Sequence, residues 1–518
     1  MTLRQLLEEV DVVAAYGDMD IDVTGVCPDS RRVRPGNVFF GLSGLKQDGQ
    51  AFVRQALTAG AAAAVVGRDI HYPGATLVQV DEPRKALAQA SARFFGFPSR
   101  ALAVVGVTGT NGKTTTTWML ESIFRAAGWT PGVIGTTGVR IGGVSRPSAF
   151  TTPEAPELQG TLREMAERGV RAVAIEVSSH ALAQRRSYGL ECDVVVFTNL
   201  SHDHLDYHGT LEGYLDAKLM LFDGRNGATG KPARAVVNGD DPRAPQVIAA
   251  AARGGLEVLS AGLDPERADP ARPCDLQVTA IEPGPDGLRM RARAALPARM
   301  RAPGGAPAPV GGADGEIALH LPLLGRYNAG NAMLAFGAAR LLGIEPEAIR
   351  RGLESMPAVP GRLEPVRAGQ AYTVVVDYAH TPDALTRALA AAREHAAGRV
   401  LLVFGCGGDR DRAKRPVMGR VAAELADLAW VTSDNPRSES PEAIAAEILA
   451  GASAAGLRLE LDRRAAIAAA LAEARAGDIV VIAGKGHETT QTIGDRVLPF
   501  DDREVAAALL GGAREGRA

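Results

Sequence analysis

Between Ala101 and Glu121 the chain runs from an apolar stretch through a glycine-rich turn directly into a helical pattern, with Gly109-Thr110-Asn111-Gly112-Lys113-Thr114-Thr115 at the turn. An apolar run this short, Ala101 to Val105, reads as a buried strand, so the segment predicts an α/β unit whose strand opens onto a helix N-terminus. Backbone N–H groups of such a turn, with the positive end of the helix dipole behind them, form a cradle for a nucleotide polyphosphate. Lys113 can then reach the outer phosphates, and the Thr114 hydroxyl can sit on Mg²⁺. A strict Walker pattern wants glycine where Val107 stands; here it comes one residue early, at Gly106.

A chain of 518 residues is too long for one core, and about three domains are expected, with boundaries at 1–99, 100–360 and 361–518. After the first hundred residues, strands at Ala172 to Val177, Val194 to Thr198 and Ala235 to Asn238 alternate with helices. A second alternating set follows Pro360-Gly361-Arg362, with strands at Thr373 to Val376, Val400 to Phe404, Leu428 to Thr432 and Ile479 to Ala483. Both sets predict mostly parallel sheets. The proline-, glycine- and arginine-rich stretch Asp264 to Asp314 reads as strand-poor loop or an extra hairpin, with Ala302 to Gly315 expected to be mobile.

Composition excludes several classes. A net charge of −3 argues against nucleic acid or an anionic membrane as partner. Four cysteines without a Cys-x-x-Cys pair argue against a disulfide framework or a zinc ribbon. The N-terminal residues lack the apolar core of a secretory signal, and no apolar run is long enough for a membrane span, so a cytoplasmic protein is expected.

In open α/β sheets ligands bind beyond the carboxyl ends of the strands. The polar motifs fall there. Glu176-Val177-Ser178-Ser179-His180 ends one strand of the middle domain, and Asn199 to Asp206, containing His202 and His204, ends another. Glu176 and His204 can help hold Mg²⁺ beside the phosphates; hard oxygen donors favour Mg²⁺ over zinc despite the nearby His208. In the last domain Gly405 to Asp411, Asp434-Asn435-Pro436-Arg437 and Gly484-Lys485-Gly486-His487-Glu488 end three strands. Arginines together with Asp, Asn and Glu suit a zwitterion, since guanidinium forks bind carboxylates and acidic groups hold an ammonium.

These segments, together with Gly325-Arg326-Tyr327-Asn328-Ala329-Gly330-Asn331 and Asp377-Tyr378-Ala379-His380-Thr381-Pro382, resemble the Mur ligases of peptidoglycan synthesis over nearly the whole chain. Asp434 to Arg437 resembles the signature of the branch that adds meso-diaminopimelate. The resemblance implies a three-domain Mur ligase architecture, α/β throughout, with a central P-loop parallel-sheet ATPase domain and a C-terminal Rossmann-like domain. It implies an ATP-dependent amide-forming ligase with Mg²⁺, small-molecule substrates and a monomeric state.

It also implies roles for individual positions. Ser30 and Leu45-Lys46-Gln47 would bind UDP, while Thr151, Thr152, Ser178, Gln184 and Arg186 would contact the muramyl dipeptide. Phe150 stands where the family favours a polar residue. Asn328 and Asn331 would meet adenine, and Arg362, Asp377 and His380 would serve ATP from the last domain. Arg410, Asp434, Asn435, Pro436, Arg437, Gly484 and Glu488 would hold diaminopimelate. Lys218 matches the family's carbamylated lysine, an anionic oxygen ligand for a second Mg²⁺; read from the residues alone, it is a helix lysine paired with Asp216 or Glu212. An L-lysine-adding ligase and, in another class, a regulatory phosphate-loop NTPase are the competing readings. Arg437 speaks against the first, since lysine has no distal carboxylate to bind.

Overall fold

The computed structural model describes residues 1–44, 48–67, 72–227, 230–264, 274–284, 287–295, 315–452 and 456–515, and the side chains of these up to 511. Their strands form three large sheets that follow one another along the chain, plus a small hairpin, Thr490–Ile493 with Arg496–Pro499.

In the first sheet the order is Val12–Tyr16, Leu77–Val80, Ala63–Val66, Asn37–Phe40, Gly25–Cys27, parallel except at the Val12–Tyr16 edge. Successive side chains alternate between faces. Thus Val38 and Phe40 pack with Ala86, Leu87 and Ala90 of the helix Pro83–Phe94, while Phe39 packs with Val53 and Ala56 of the helix Val53–Thr58.

The second sheet has eleven strands, and Ala103–Thr108 lies between Val194–Phe197 and Ala172–Glu176, parallel to both. Val105 and Val107 face the helices Lys113–Ala126 and Tyr327–Leu341; Val104 faces Leu158, Leu162 and Met165 of Ala155–Glu167. Val107 is therefore core, and the glycine-rich turn proper begins only at Gly109. Of the two expectations for the Asp264 to Asp314 stretch, strand-poor loop is corrected and a hairpin is found: Leu276–Gly284 and Gly287–Ala294 pair antiparallel, and with Gly315–Leu321 they extend this sheet. The reason is a period of two, with Leu288, Met290 and Ala292 buried and Arg289, Arg291 and Arg293 turned outward. Residues 302–314, expected to be mobile, lie outside the described residues.

In the third sheet the order is Glu364–Pro365, Thr373–Asp377, Ile479–Ala483, Val400–Phe404, Leu428–Val431, Leu457–Leu459, all parallel but for the first pair. Alternate valines and isoleucines of its central strands feed two cores, one per face, so helices cover both sides. No helix among the described residues is long and apolar enough to cross a membrane.

Candidate active site

A cleft of about 780 Å³ opens where the carboxyl end of Ala103–Thr108 meets the third domain. That is the edge at which open parallel sheets bind ligands. Gly109 has φ +148°, and a Cβ there would collide with the Thr198 hydroxyl, so the turn cannot carry a side chain at this position. Asn111 is fixed from its own domain: its N–H donates to Asn199 Oδ1 at 3.0 Å and its carbonyl accepts from Thr198 Oγ1 at 2.6 Å. The helix then starts at Lys113, whose first N–H groups have no partner within the helix.

Two ammonium groups meet at this turn. Lys113 Nζ donates to the carbonyls of Gly109 and Thr110 at 2.8 and 2.7 Å. Lys218 Nζ, fully buried, donates to the Gly109 carbonyl at 2.9 Å and lies 4.2 Å from the Tyr214 ring centre. Burial lowers the pKa of both amines, that of Lys218 far below the ordinary lysine range, and the Lys113 charge pushes Lys218 down further. The expected pairing of Lys218 with Asp216 or Glu212 does not occur. Those carboxylates face solvent and bind Arg225 and Arg243, whereas Lys218 points into the domain.

Glu176, also buried, ends the adjoining strand and collects three donors: Thr114 Oγ1 at 3.1 Å, Thr136 Oγ1 at 3.0 Å and the Thr136 N–H at 2.9 Å. Thr136 was not singled out from sequence; it follows the strand Pro131–Gly135, so the rule about strand ends could have found it. The exposed His204, held in a left-handed conformation at φ +53°, stands at the cleft mouth 3.5 Å from Asp203. Partial desolvation among the neighbouring rings lowers its pKa, with the Lys113 and Lys218 amines adding to the effect, and burial takes that of His180 down to about 4. Among the described residues no three His, Cys, Asp or Glu side chains converge as a metal cage. The donor set fits Mg²⁺ all the same, because that ion takes one or two protein oxygens and leaves the rest to phosphates and water.

The third domain supplies the opposite wall. Arg362 reaches Thr114 Oγ1 at 3.4 Å, and Asp377, His380, Thr381 and Arg387 line the cleft. Asp377 accepts from the Leu363 N–H at 2.7 Å, and burial raises its pKa to about 6. Asn331 lines the cleft, whereas Asn328 reaches it only through Asn331, accepting from its Nδ2 at 2.9 Å.

On the dipeptide side, Thr151 and Thr136 hydroxyls pair at 3.1 Å, and Thr152 Oγ1 donates to the Glu176 carbonyl at 2.8 Å and accepts from the Ser178 N–H at 3.0 Å. Arg186 bonds Gln184 Oε1 at 2.7 Å, pairs with Glu154 at 3.0 Å and stacks 4.4 Å from the Phe150 ring centre. Ser30 is further off, in the first domain, with its hydroxyl on Gln55 Oε1 at 3.1 Å. Leu45, Lys46 and Gln47 lie outside the described residues.

Beyond Tyr378 lies the cluster at the ends of three strands of the third domain. Asn435 Nδ2 donates to Asp434 Oδ1 at 3.1 Å and Glu488 Oε2 at 2.8 Å, and Lys485, fully buried, approaches Glu488 at 3.4 Å. Gly484, at φ +115°, leaves room for the Asp434 carboxylate that any side chain would displace. Pro436 leads into Arg437, which has φ +53° and donates from Nη1 to the Gly408 carbonyl at 2.7 Å. Arg410 is exposed and donates to its neighbour's carbonyl, that of Asp409, at 3.4 Å. Sequence reasoning left Tyr378 without a role, though it stands in a quoted motif; its ring lies 5.1 Å from the Arg362 guanidinium on one side and 5.1 Å from the His487 ring on the other.

The chain matches three family models: "Mur ligase family, catalytic domain" over 22–95, "Mur ligase middle domain" over 107–339 and "Mur ligase, glutamate ligase domain" over 361–486. It is 42% identical to the UDP-N-acetylmuramoyl-L-alanyl-D-glutamate–2,6-diaminopimelate ligase of Geobacter metallireducens, over 98% of each chain. It is 44% identical to the ligase of the same name from Gloeobacter violaceus, over 96% of this chain and 95% of the other. A solved structure with that name aligns over 99% of both chains at 31% identity, with a TM-score of 0.69.

Proposed function

The chain belongs to the Mur ligase family, and from that premise we propose that it joins meso-diaminopimelate to the D-glutamyl carboxylate of UDP-MurNAc-L-Ala-D-Glu, with ATP as co-substrate. The observation that carries this reading is the arrangement of two charged sites on either side of Tyr378. One holds two lysine amines, Lys113 and Lys218, without a carboxylate partner; the other gathers Asp434, Asn435 and Glu488, with Arg437 close after Asn435 in the chain and held by the Gly408 carbonyl.

A carboxylate does not accept an amine directly. The γ-phosphoryl group of ATP is transferred to the D-glutamyl carboxylate, giving ADP and an acyl phosphate; the diaminopimelate amine then adds to the acyl carbon, and phosphate leaves. Lys113 and the backbone N–H groups of Gly112 to Thr115 offset the charge that gathers on the transferring group. Mg²⁺, when bound, supplies further charge neutralisation there, and Thr114 and Glu176 would hold it, with His204 at the mouth. Lys218 is poised to be carbamylated: burial favours its neutral amine, whose electron pair can attack CO₂ with loss of a proton, and the carbamate would answer the charge of Lys113 and offer oxygens to a metal. Asn331 and Arg362 serve the nucleotide. Arg186, Thr151, Thr152 and Ser178 hold the dipeptide, with Ser30 toward the uridine end. Arg437 and Arg410 take the distal carboxylate of diaminopimelate, and Asp434 and Glu488 its ammonium.

The test is incubation with ATP, Mg²⁺ and UDP-MurNAc-L-Ala-D-Glu, with meso-diaminopimelate or L-lysine in parallel, following the nucleotide product by mass. Tripeptide with diaminopimelate alone is expected. Product with lysine alone would overturn the role of Arg437, and ATP hydrolysis without either product would favour a phosphate-loop NTPase.

A further inference from the structure

Asp383 sits in the first turn of the helix Pro382–His395, in the third domain, yet its Oδ2 accepts from Asn111 Nδ2 at 3.1 Å and from Ser201 Oγ at 3.0 Å. Both donors belong to the central domain. Asn111 is part of the phosphate turn, and the Ser201 N–H in turn donates to Thr110 Oγ1 at 3.0 Å, so one carboxylate grips the turn and the segment that buttresses it. The helix does not need Asp383 as a cap, because Thr381 already accepts from the Ala384 N–H at 3.3 Å. Nor is Asp383 among the residues that line the cleft: Thr381, Ala384 and Arg387 around it do so, while its own carboxylate turns to Asn111 and Ser201. Arg387, one helical turn on, offsets its charge at 3.2 Å.

We propose that Asp383 is a positioning residue that makes the order of the phosphate turn depend on docking of the third domain. Hydrogen bonds from Asn111 and Ser201 to an anion are the strong kind, and they form only when the two domains are together. The domain that carries the amino-acid pocket thereby sets the geometry in which the γ-phosphoryl group is transferred, so that the acyl phosphate forms only when its acceptor site is in place. This rests on the ligase reading above.

The test measures steady-state ligation by full-length Asp383→Ala, Ser201→Ala and the double variant, with the thermal midpoint of each apoprotein. For Asp383→Ala we expect kcat to fall by roughly 10²-fold, as for other losses of alignment. The KM for UDP-MurNAc-L-Ala-D-Glu should stay at the wild-type value, and so should the midpoint. The double variant is expected to be no slower than Asp383→Ala alone, since both changes break one contact. A kcat within about twofold of wild type, or losses that multiply in the double variant, would overturn the proposal. If alanine lowers the midpoint, Asp383→Leu decides, as it fills the volume without an acceptor: slow ligation at the wild-type midpoint supports the role, and wild-type kcat overturns it. A wild-type enzyme that makes no tripeptide would instead defeat the ligase reading, whatever residue 383 does.

Discussion

The phosphate cleft and the third-domain pocket are both built at the carboxyl ends of parallel strands, yet they treat charge in opposite ways. In the cleft, Lys113 and Lys218 donate to backbone carbonyls, and neither has an ion-pair partner among the described residues. In the pocket the charged groups answer one another: Asn435 bridges Asp434 and Glu488, Lys485 meets Glu488, and the fully buried Arg415 behind them binds Glu439 and Glu447, each at 2.8 Å. Unpaired cations are poised for an anion brought by the ligand, and Arg437 and Arg410 share that state with the two lysines; what sets the pocket apart is that its carboxylates are already held, by Asn435 and Lys485, before a ligand arrives.

The sharpest way to break that contrast is to remove the buried cation. Lys218→Met should lower ligation by about 10²–10³-fold, the cost of losing a charge group aimed at the reaction centre. It should also stabilise the fold in CO₂-free buffer, since a buried amine without a carboxylate partner is costly whether it keeps its charge or gives up its proton. The sign with pH follows from linkage. The folded pKa of Lys218 lies below its unfolded one, so between the two the unfolded chain binds more protons and wild-type stability rises with pH. Lys218→Met should lack that rise, as read by thermal midpoints in CO₂-free buffer. A carbamylated wild-type sample should lack it too, and intact mass would show the added CO₂.

Asp377 gives the opposite sign within the same cleft. Burial raises its pKa to about 6, so between its unfolded value and about 6 the folded chain holds the proton more tightly. Stability is therefore greatest below the unfolded pKa and declines as pH rises through about 6, by on the order of 3 kcal/mol. Denaturant titrations of Asp377→Asn should show no such decline, and the difference from wild type isolates it.

How far the sequence exposed these sites follows from the kind of signal each uses. The phosphate turn was legible because glycine, lysine and threonine at fixed spacing follow from backbone geometry, and Glu176 because it ends a strand. The inward orientation of Lys218 was not, since spacing along a short helix gives two possible faces and only the packing of Tyr214 and Lys218 beneath the phosphate turn settles which is buried. The antiparallel extension was half hidden because its alternating run, Gly287–Ala294, is short and sits within a stretch rich in proline and glycine. The contacts of Asp383 join residues far apart in the chain, and no local pattern carries them.

In the third-domain pocket the contrast predicts a loss confined to one substrate. Arg437→Ala removes a guanidinium that the Gly408 carbonyl holds in place, and kcat/KM for diaminopimelate should fall by about 10²-fold, the cost of a charge-assisted pair. The KM for ATP should not move, because the cleft does not depend on this side chain. Parallel titrations of the two substrates check this, and an equal loss for ATP would mean that the two sites are not separable.

The smallest effect is expected at Phe150, where the resemblance implied a polar residue. Its ring is half exposed and carries the Arg186 guanidinium at 4.4 Å, an arrangement worth about 0.5–1 kcal/mol at such a site. Arg186 is also held by Gln184 and Glu154, so losing the ring loosens it without freeing it. Phe150→Asn should therefore raise the KM for the UDP-dipeptide by about two- to fivefold and leave kcat unchanged, while Phe150→Tyr should match wild type. A fall in kcat would place the ring in the alignment of the reacting carboxylate, and the dipeptide end would then join the cleft as a part that sets the rate of transfer.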